Sequence, residues 1–158
     1  MARAQTIRQA EAASADNGPP VFRDGEEAVG YRLRRAQVGV FQKFLATFED
    51  VQLRPVEFSI LTLIRDNPGR KQTEISHALG IKRANFVPII DGLEGRDLVE
   101  RRPSVGDRRA NALYLTRNGT KFLTAVWKRH DALEAEFTLR LGGPAKRAEL
   151  LALLRLLS

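Results

Sequence analysis

Cysteine is absent from the 158 residues of the chain. That excludes disulfides, thiolate metal sites, thiol redox sensing and cysteine nucleophiles together. Histidine is scarce: His77 and His130 are the only two. They fall in different helical segments and neither is accompanied by spaced carboxylates, so no metal and no other cofactor is expected. No glycine-rich phosphate cradle and no serine elbow occurs, and the chain reads as something other than an enzyme. No uncharged apolar run approaches the roughly 20 residues that cross a bilayer. The first twenty residues lack the apolar stretch of a secretory signal. These absences point to a cytoplasmic protein with no membrane partner.

What is present suits a compact fold with a polyanionic partner. Apolar residues make up 43% of the chain and charged residues 28%, enough for both a core and a solvated surface. Lys and Arg number 26 against 19 Asp and Glu, a net charge of +7. Residues 1–30 carry three arginines against five carboxylates, a net −2, which leaves +9 for the rest. The Ala- and Gln-rich opening, ending in Asp16-Asn17-Gly18-Pro19-Pro20, reads as a tail or arm over residues 1–26.

From Glu27 to Asp50, Leu33, Val40, Phe41, Phe44, Leu45 and Phe48 recur at three- and four-residue steps, which predicts a long amphipathic helix. Pro55 fits the first position of a second helix that stops at Asn67-Pro68-Gly69. A third short helix ends at Gly80, placed for a left-handed cap, and a fourth runs from Arg83 to Glu94. Leu98–Arg102 and Ala112–Thr116 read as the strands of a hairpin whose turn is Pro103-Ser104-Val105-Gly106-Asp107. Thr116 is placed to cap a helix reaching Arg140, Gly142-Gly143-Pro144 breaks it, and a leucine-rich helix follows.

Within Gln72–Leu93 two helices flank Gly80-Ile81, with Ile75, Leu79, Ile81, Phe86, Ile89 and Ile90 spaced to pack on one core. The other side of the second helix stays free, and a helix of that diameter fits the major groove of duplex DNA. At 100° per residue Ala84, Pro88 and Asp91 point outward and Asn85 lies on a flank. Arg83 and Asn85 are the candidate base readers, since Arg suits guanine and Asn suits adenine; Lys82 suits phosphate. Arg101, Arg102, Arg108 and Arg109 gather near the hairpin tip with Asp107 as the opposing charge that orients one of them. Such a ribbon suits a minor groove. A solvated tip is the bland alternative.

This order of motifs resembles the MarR family of winged helix-turn-helix regulators. The resemblance rests on Leu53–Leu61, on Gln72–Ile81, on Leu93–Arg101, and on Asp107-Arg108-Arg109-Ala110 with Leu115–Gly119. It implies a mostly α fold with a small sheet, and a homodimer whose terminal helices form the dimerisation base. It implies a dimerisation and ligand-cleft helix at 27–52, a DNA-binding lobe at 53–116 and dimerisation helices at 117–158. It further implies a repressor on a palindromic site of double-stranded DNA, released by a small aromatic or anionic effector. Ile81–Pro88 resembles the branch that answers to hydroxycinnamoyl-CoA thioesters, which makes an aromatic acid or its CoA thioester the expected effector.

Two residues depart from the family pattern. Pro88 falls inside the recognition helix, where a kink or a late helix start is expected. Gly92 adds flexibility worth roughly 1 kcal/mol relative to alanine. Base readout is therefore expected to be narrow, with Pro88 or Ala84 meeting a thymine methyl and more weight on the wing. For the effector, Tyr31, Arg32 and Arg35 with Phe41, Phe58 and Trp127 supply guanidinium and aromatic walls suited to a flat acid. The same residues read equally as packed core and a solvated helix face. A winged-helix module that binds protein rather than DNA is the rival function, kept open by the sparse outward face of the motif helix. Leu150, Leu151, Leu154 and Leu157 read as a dimer seam.

Overall fold

The structure, a computed structural model, describes residues 27–104 and 107–157, and for 107–109 the backbone alone. The expected arm at residues 1–26 and the hairpin tip lie outside the described residues, as do the side chains of Asp107, Arg108 and Arg109. Among the described residues six helices and one two-stranded ribbon follow in chain order: α1 (Val29–Thr47), α2 (Pro55–Asp66), α3 (Gln72–Ala78), α4 (Arg83–Gly95), β1 (Val99–Ser104), β2 (Asp107–Leu115), α5 (Arg117–Arg140) and α6 (Pro144–Arg155). A short 3-10 turn at Glu49–Val51 follows α1. The described residues fall into two units, one ending at Val38 and one running from Gly39 onward, with the boundary inside α1. No described helix is long and apolar enough to cross a membrane.

Local chemistry sets most of the boundaries. Pro55 opens α2, where its missing N–H has no intrahelical partner to lose. The Glu57 carboxylate folds back onto the Arg54 N–H at 2.9 Å and its guanidinium at 2.7 Å. That is how a carboxylate can be buried here: its oxygens are met by charge-assisted donors. The Thr116 hydroxyl caps α5, accepting from the Gly119 N–H at 2.8 Å. α5 is also tied to the turn after α1, because Arg129 grips Asp50 at 2.7 and 3.0 Å and donates to the Thr47 carbonyl. The Arg129 hydrogen bond holds the Asp50 carboxyl below its ordinary value. That tie therefore persists at neutral pH and is lost only as pH falls through the lowered value.

Three helices end in the same two-bond motif. After α3, Gly80 takes φ +63, its N–H reaches the His77 carbonyl at 3.0 Å, and the Ile81 N–H reaches that of Ser76 at 2.9 Å. After α5, Gly142 at φ +93 plays the same part. After α4 the left-handed position is held by Asp97 at φ +54, with Asp97 N–H on Glu94 at 2.9 Å and Leu98 N–H on Leu93 at 3.0 Å. A side chain there costs on the order of 1 kcal/mol relative to glycine. Asp97→Gly is accordingly expected to stabilise the protein by up to about 0.5 kcal/mol in urea denaturation, net of the extra entropy of a glycine in the unfolded chain. A drop in stability would show that the carboxylate repays its backbone strain.

The core of the second unit lies where α2, α4, β2 and α5 meet: Ile60, Leu61, Ile64, Phe86, Ile90, Leu93 and Leu113 are fully excluded from solvent, and Leu123 nearly so. Phe86, Ile90 and Leu93 turn the predicted face of α4 inward. The ribbon is anchored at its base, where Gly69 N–H meets the Leu113 carbonyl at 3.0 Å and Leu113 N–H meets that of Arg70 at 3.0 Å.

Two expectations need correction. The hairpin is longer than expected: β1 reaches Ser104 and β2 begins at Asp107, with Arg102 opposite Ala112 and Pro103 opposite Asn111. Polar residues prolong the ladder because backbone hydrogen bonds, not apolar side chains, hold a ribbon that projects into solvent. Proline is tolerated there because the strand is an edge. Of the two alternatives expected at Pro88, the late helix start is overturned: α4 begins at Arg83 and carries Pro88 in its interior.

Candidate nucleic-acid interface

α4 presents two different faces. While Phe86 is buried, Lys82, Arg83, Ala84, Asn85 and Pro88 all stand exposed. The expected outward set is therefore brought together at the N-terminal half of one helix. Beside it, a small cleft of about 140 Å³ is lined by Lys71, Gln72, Thr73, Arg83, Ala110 and Asn111, joining the starts of α3 and α4 to the ribbon. Lys71, Thr73 and Asn111 escaped the sequence reading because each is a lone polar residue without periodicity.

Arg101 and Arg102 are not the free cluster that the sequence suggested. Arg101 lies only 19% exposed and is held by Asp91 at 2.6 Å, Glu94 at 2.5 Å and Gln72 at 3.1 Å. Its guanidinium faces its own protein instead of solvent. Asp91, expected to be a free outward group, is thereby paired. Arg102 is exposed but engages Glu100 at 2.5 Å and stacks 4.4 Å over the Tyr114 ring. Charges of opposite sign thus accompany both, beyond the Asp107 anticipated.

The aromatic residues separate as well. Phe58 is core, packed against Phe44 at 5.7 Å, Trp127 at 5.6 Å and His130 at 4.4 Å between ring centroids. It does not form an open wall, since three rings already cover it. Phe41 is exposed on α1. Trp127 is half-buried and carries the Arg65 guanidinium 4.1 Å above its ring. Trp127 and Arg65, but not Phe41, border a cleft of about 350 Å³ completed by Leu115, Thr120, Leu123, Thr124 and Lys128. Tyr31, Arg32 and Arg35 lie in the first unit, where Arg32 pairs with Glu27. Among the described residues Thr62 Oγ1 and His130 Nδ1 are buried without a hydrogen-bond partner. Arg65 and Lys128 were not singled out from sequence, and His130 was weighed there only as a metal ligand.

Known proteins settle the lineage. The family model for the MarR family matches residues 53–110. The HTH-type transcriptional repressor NicR of Pseudomonas putida is 34% identical over 118 residues, covering 72% of this chain and 70% of NicR. The chain belongs to the MarR family. It is therefore a DNA-binding regulator of transcription and not an enzyme. Among solved MarR-type structures, the transcriptional repressor CouR bound to a 23-mer DNA duplex is 41% identical with a TM-score of 0.81, covering 89% of this chain and 99% of CouR. CouR bound to p-coumaroyl-CoA is 42% identical with a TM-score of 0.77, covering 85% of this chain and 96% of that one. The mostly helical architecture with its two-stranded wing matches this MarR fold.

Proposed function

We propose that the protein is a homodimeric repressor that grips a two-fold symmetric operator and releases it on binding an aromatic acid or its CoA thioester. One observation carries this reading: the exposed Lys82, Arg83 and Asn85 on α4 stand beside a wing in a chain that resembles DNA-bound CouR over most of its length. In this reading residues 53–116 are the reading lobe, with Arg83 and Asn85 on base edges, Lys82 on phosphate and Pro88 against a thymine methyl. Arg102, Arg108 and Arg109 of the wing meet the adjoining minor groove, with Asp107 steadying one of them. Residues 27–52 and 117–158 pair two copies, so that recognition helices sit about 34–36 Å apart in successive major grooves.

The likeness to CouR with p-coumaroyl-CoA supports the effector class. Tyr31, Arg32 and Arg35 are candidates for an anionic group, Phe41 and Trp127 for an aromatic one. Arg65 and Lys128 add cations to the Trp127 cleft. An effector with 100-fold preference for the released form supplies about 2.7 kcal/mol against DNA.

The test begins with selection of duplexes from a random library, followed by gel-shift titration. A palindromic consensus is expected, with affinity falling by about 0.9 log units per log unit of salt for each phosphate engaged. Addition of p-coumaroyl-CoA should release the duplex where free CoA does not. Failure to enrich any sequence would refute the operator reading. Release by neither thioester nor aromatic acid would refute the effector reading. Arg83→Ala should relax the consensus at one position in each half-site by about 1–3 kcal/mol and leave the others unchanged. An unaltered consensus would remove Arg83 from the base readers.

A further inference from the structure

The recognition helix is poorly equipped to hold its own shape. Pro88 removes one backbone hydrogen bond from its middle, and Gly92 loosens the turn that follows. Its charges are also ill-suited to DNA: within Arg83–Gly95 a single Arg stands against Asp91 and Glu94. The carboxylates flank Gly92 on the weakened half.

Arg101 answers both problems at once. Its Nη2 meets Asp91 at 2.6 Å, its Nη1 meets Glu94 at 2.5 Å, and its backbone N–H meets the other Glu94 oxygen at 3.2 Å. Nε reaches Gln72 at 3.1 Å, at the first turn of α3 and on the edge of the polar cleft that also holds Arg83. One planar fork on β1 thus ties the start of α3 to the C-terminal half of α4. It offsets half of the negative charge that Asp91 and Glu94 bring to the helix.

We infer that Arg101 is a positioning residue that braces the recognition helix and sets sequence discrimination without touching DNA. The inference rests on the operator-binding reading and deepens it. Its consequence is unusual for a basic residue on a wing. Losing a phosphate contact weakens every sequence alike and lowers the salt slope by about one. Losing a brace misplaces the readers and erodes the preference for the right sequence.

The experiment compares gel-shift affinities for the duplex selected by the wild-type chain and for a scrambled duplex, across a salt series. For Arg101→Ala the ratio of the two affinities should fall about tenfold while the salt slope keeps its wild-type value. A slope lower by about one, or an unchanged ratio, overturns the inference. Asp91→Ala with Glu94→Ala provides the sharper arm. Removing two negative charges would tighten binding to both duplexes on charge grounds alone. The brace predicts that the ratio falls nonetheless, and a preserved ratio overturns it. Arg101→Lys keeps charge and stem in case alanine unfolds the lobe, and should show a smaller loss in the same direction. Amide exchange in the DNA-free protein reads the brace independently of any operator: residues 91–95 should exchange faster in Arg101→Ala while α2 amides keep their rates. Unchanged exchange at 91–95 overturns the brace even if no duplex is ever selected.

Discussion

Gly119→Ala is expected to destabilise the protein by about 2–4 kcal/mol, although it places a better helix former in the first turn of a 24-residue helix. Propensity alone favours alanine over glycine by roughly 1 kcal/mol. Geometry decides the sign. A Cβ at residue 119 would stand 1.9 Å from the Leu98 carbonyl oxygen and 2.8 Å from its carbon. The obstacle is backbone, and it is fixed from several sides: Thr116 N–H bonds the same oxygen at 3.2 Å, the Leu98 N–H is committed to Leu93, and the Thr116 hydroxyl donates to Asp97 at 2.5 Å. Moving Leu98 by the ångström or more required would drag the junction of α4, β1 and α5 with it. Overpacking and backbone displacement of this kind cost several kcal/mol. Denaturant melts with circular dichroism measure the change directly. A variant as stable as wild type would mean that α5 can slide away from the wing without loss, and that this junction is softer than its hydrogen bonds imply.

The same junction shows which parts of the fold were legible beforehand. Pro55, Gly80, Thr116 and the Gly142-Gly143-Pro144 break announce their roles locally, because helix starts and stops depend on a few neighbouring backbone groups. The buried face of α4 was equally readable, since Phe86, Ile90 and Leu93 are placed by helical period alone. Contacts between elements were not. Nothing in the spacing of Gly119 and Leu98 announces an approach of helix to carbonyl. Arg101 and Arg102 looked like one basic patch, but strand alternation sends them to opposite sides of the ribbon. One faces the α4 carboxylates and the other the Tyr114 ring. Phe58 and Trp127 were visible as aromatics, yet whether an aromatic lines a cleft or fills a core depends on partners such as His130, which lies 72 residues away in sequence from Phe58. The family's motif order compensates for that blindness at the level of function, though not at the level of individual side chains.

The largest functional effect is expected from the C-terminal helix, far from any DNA-reading side chain. In the subunit α6 has no buried residue; of the leucines expected as a seam, Leu150 and Leu157 are exposed and Leu151 and Leu154 half-buried, while the most open apolar side chains include Leu153 and Leu156, 56% and 81% exposed. Leu139 and Leu141, at the end of α5, are exposed as well. α6 is fastened to α5 by the Arg147–Glu134 pair at 2.8 Å, so its leucines are presented by an ordered support. Each leucine removed from water contributes about 1.5–3 kcal/mol, and the set recurs twice in a symmetric pair. Replacing Leu153 and Leu156 together by Glu should leave each subunit folded, because neither side chain is part of its core, and should convert the proposed dimer to monomers in sedimentation. Affinity for the selected operator should then fall by about 10²–10⁴, the size of the gain that linking two half-site contacts confers. A single half-site duplex should be bound equally well by variant and wild type. If the double variant remains dimeric, the seam lies elsewhere. If it is monomeric yet holds the full operator as tightly as before, each lobe carries the affinity alone and the symmetric-operator reading falls.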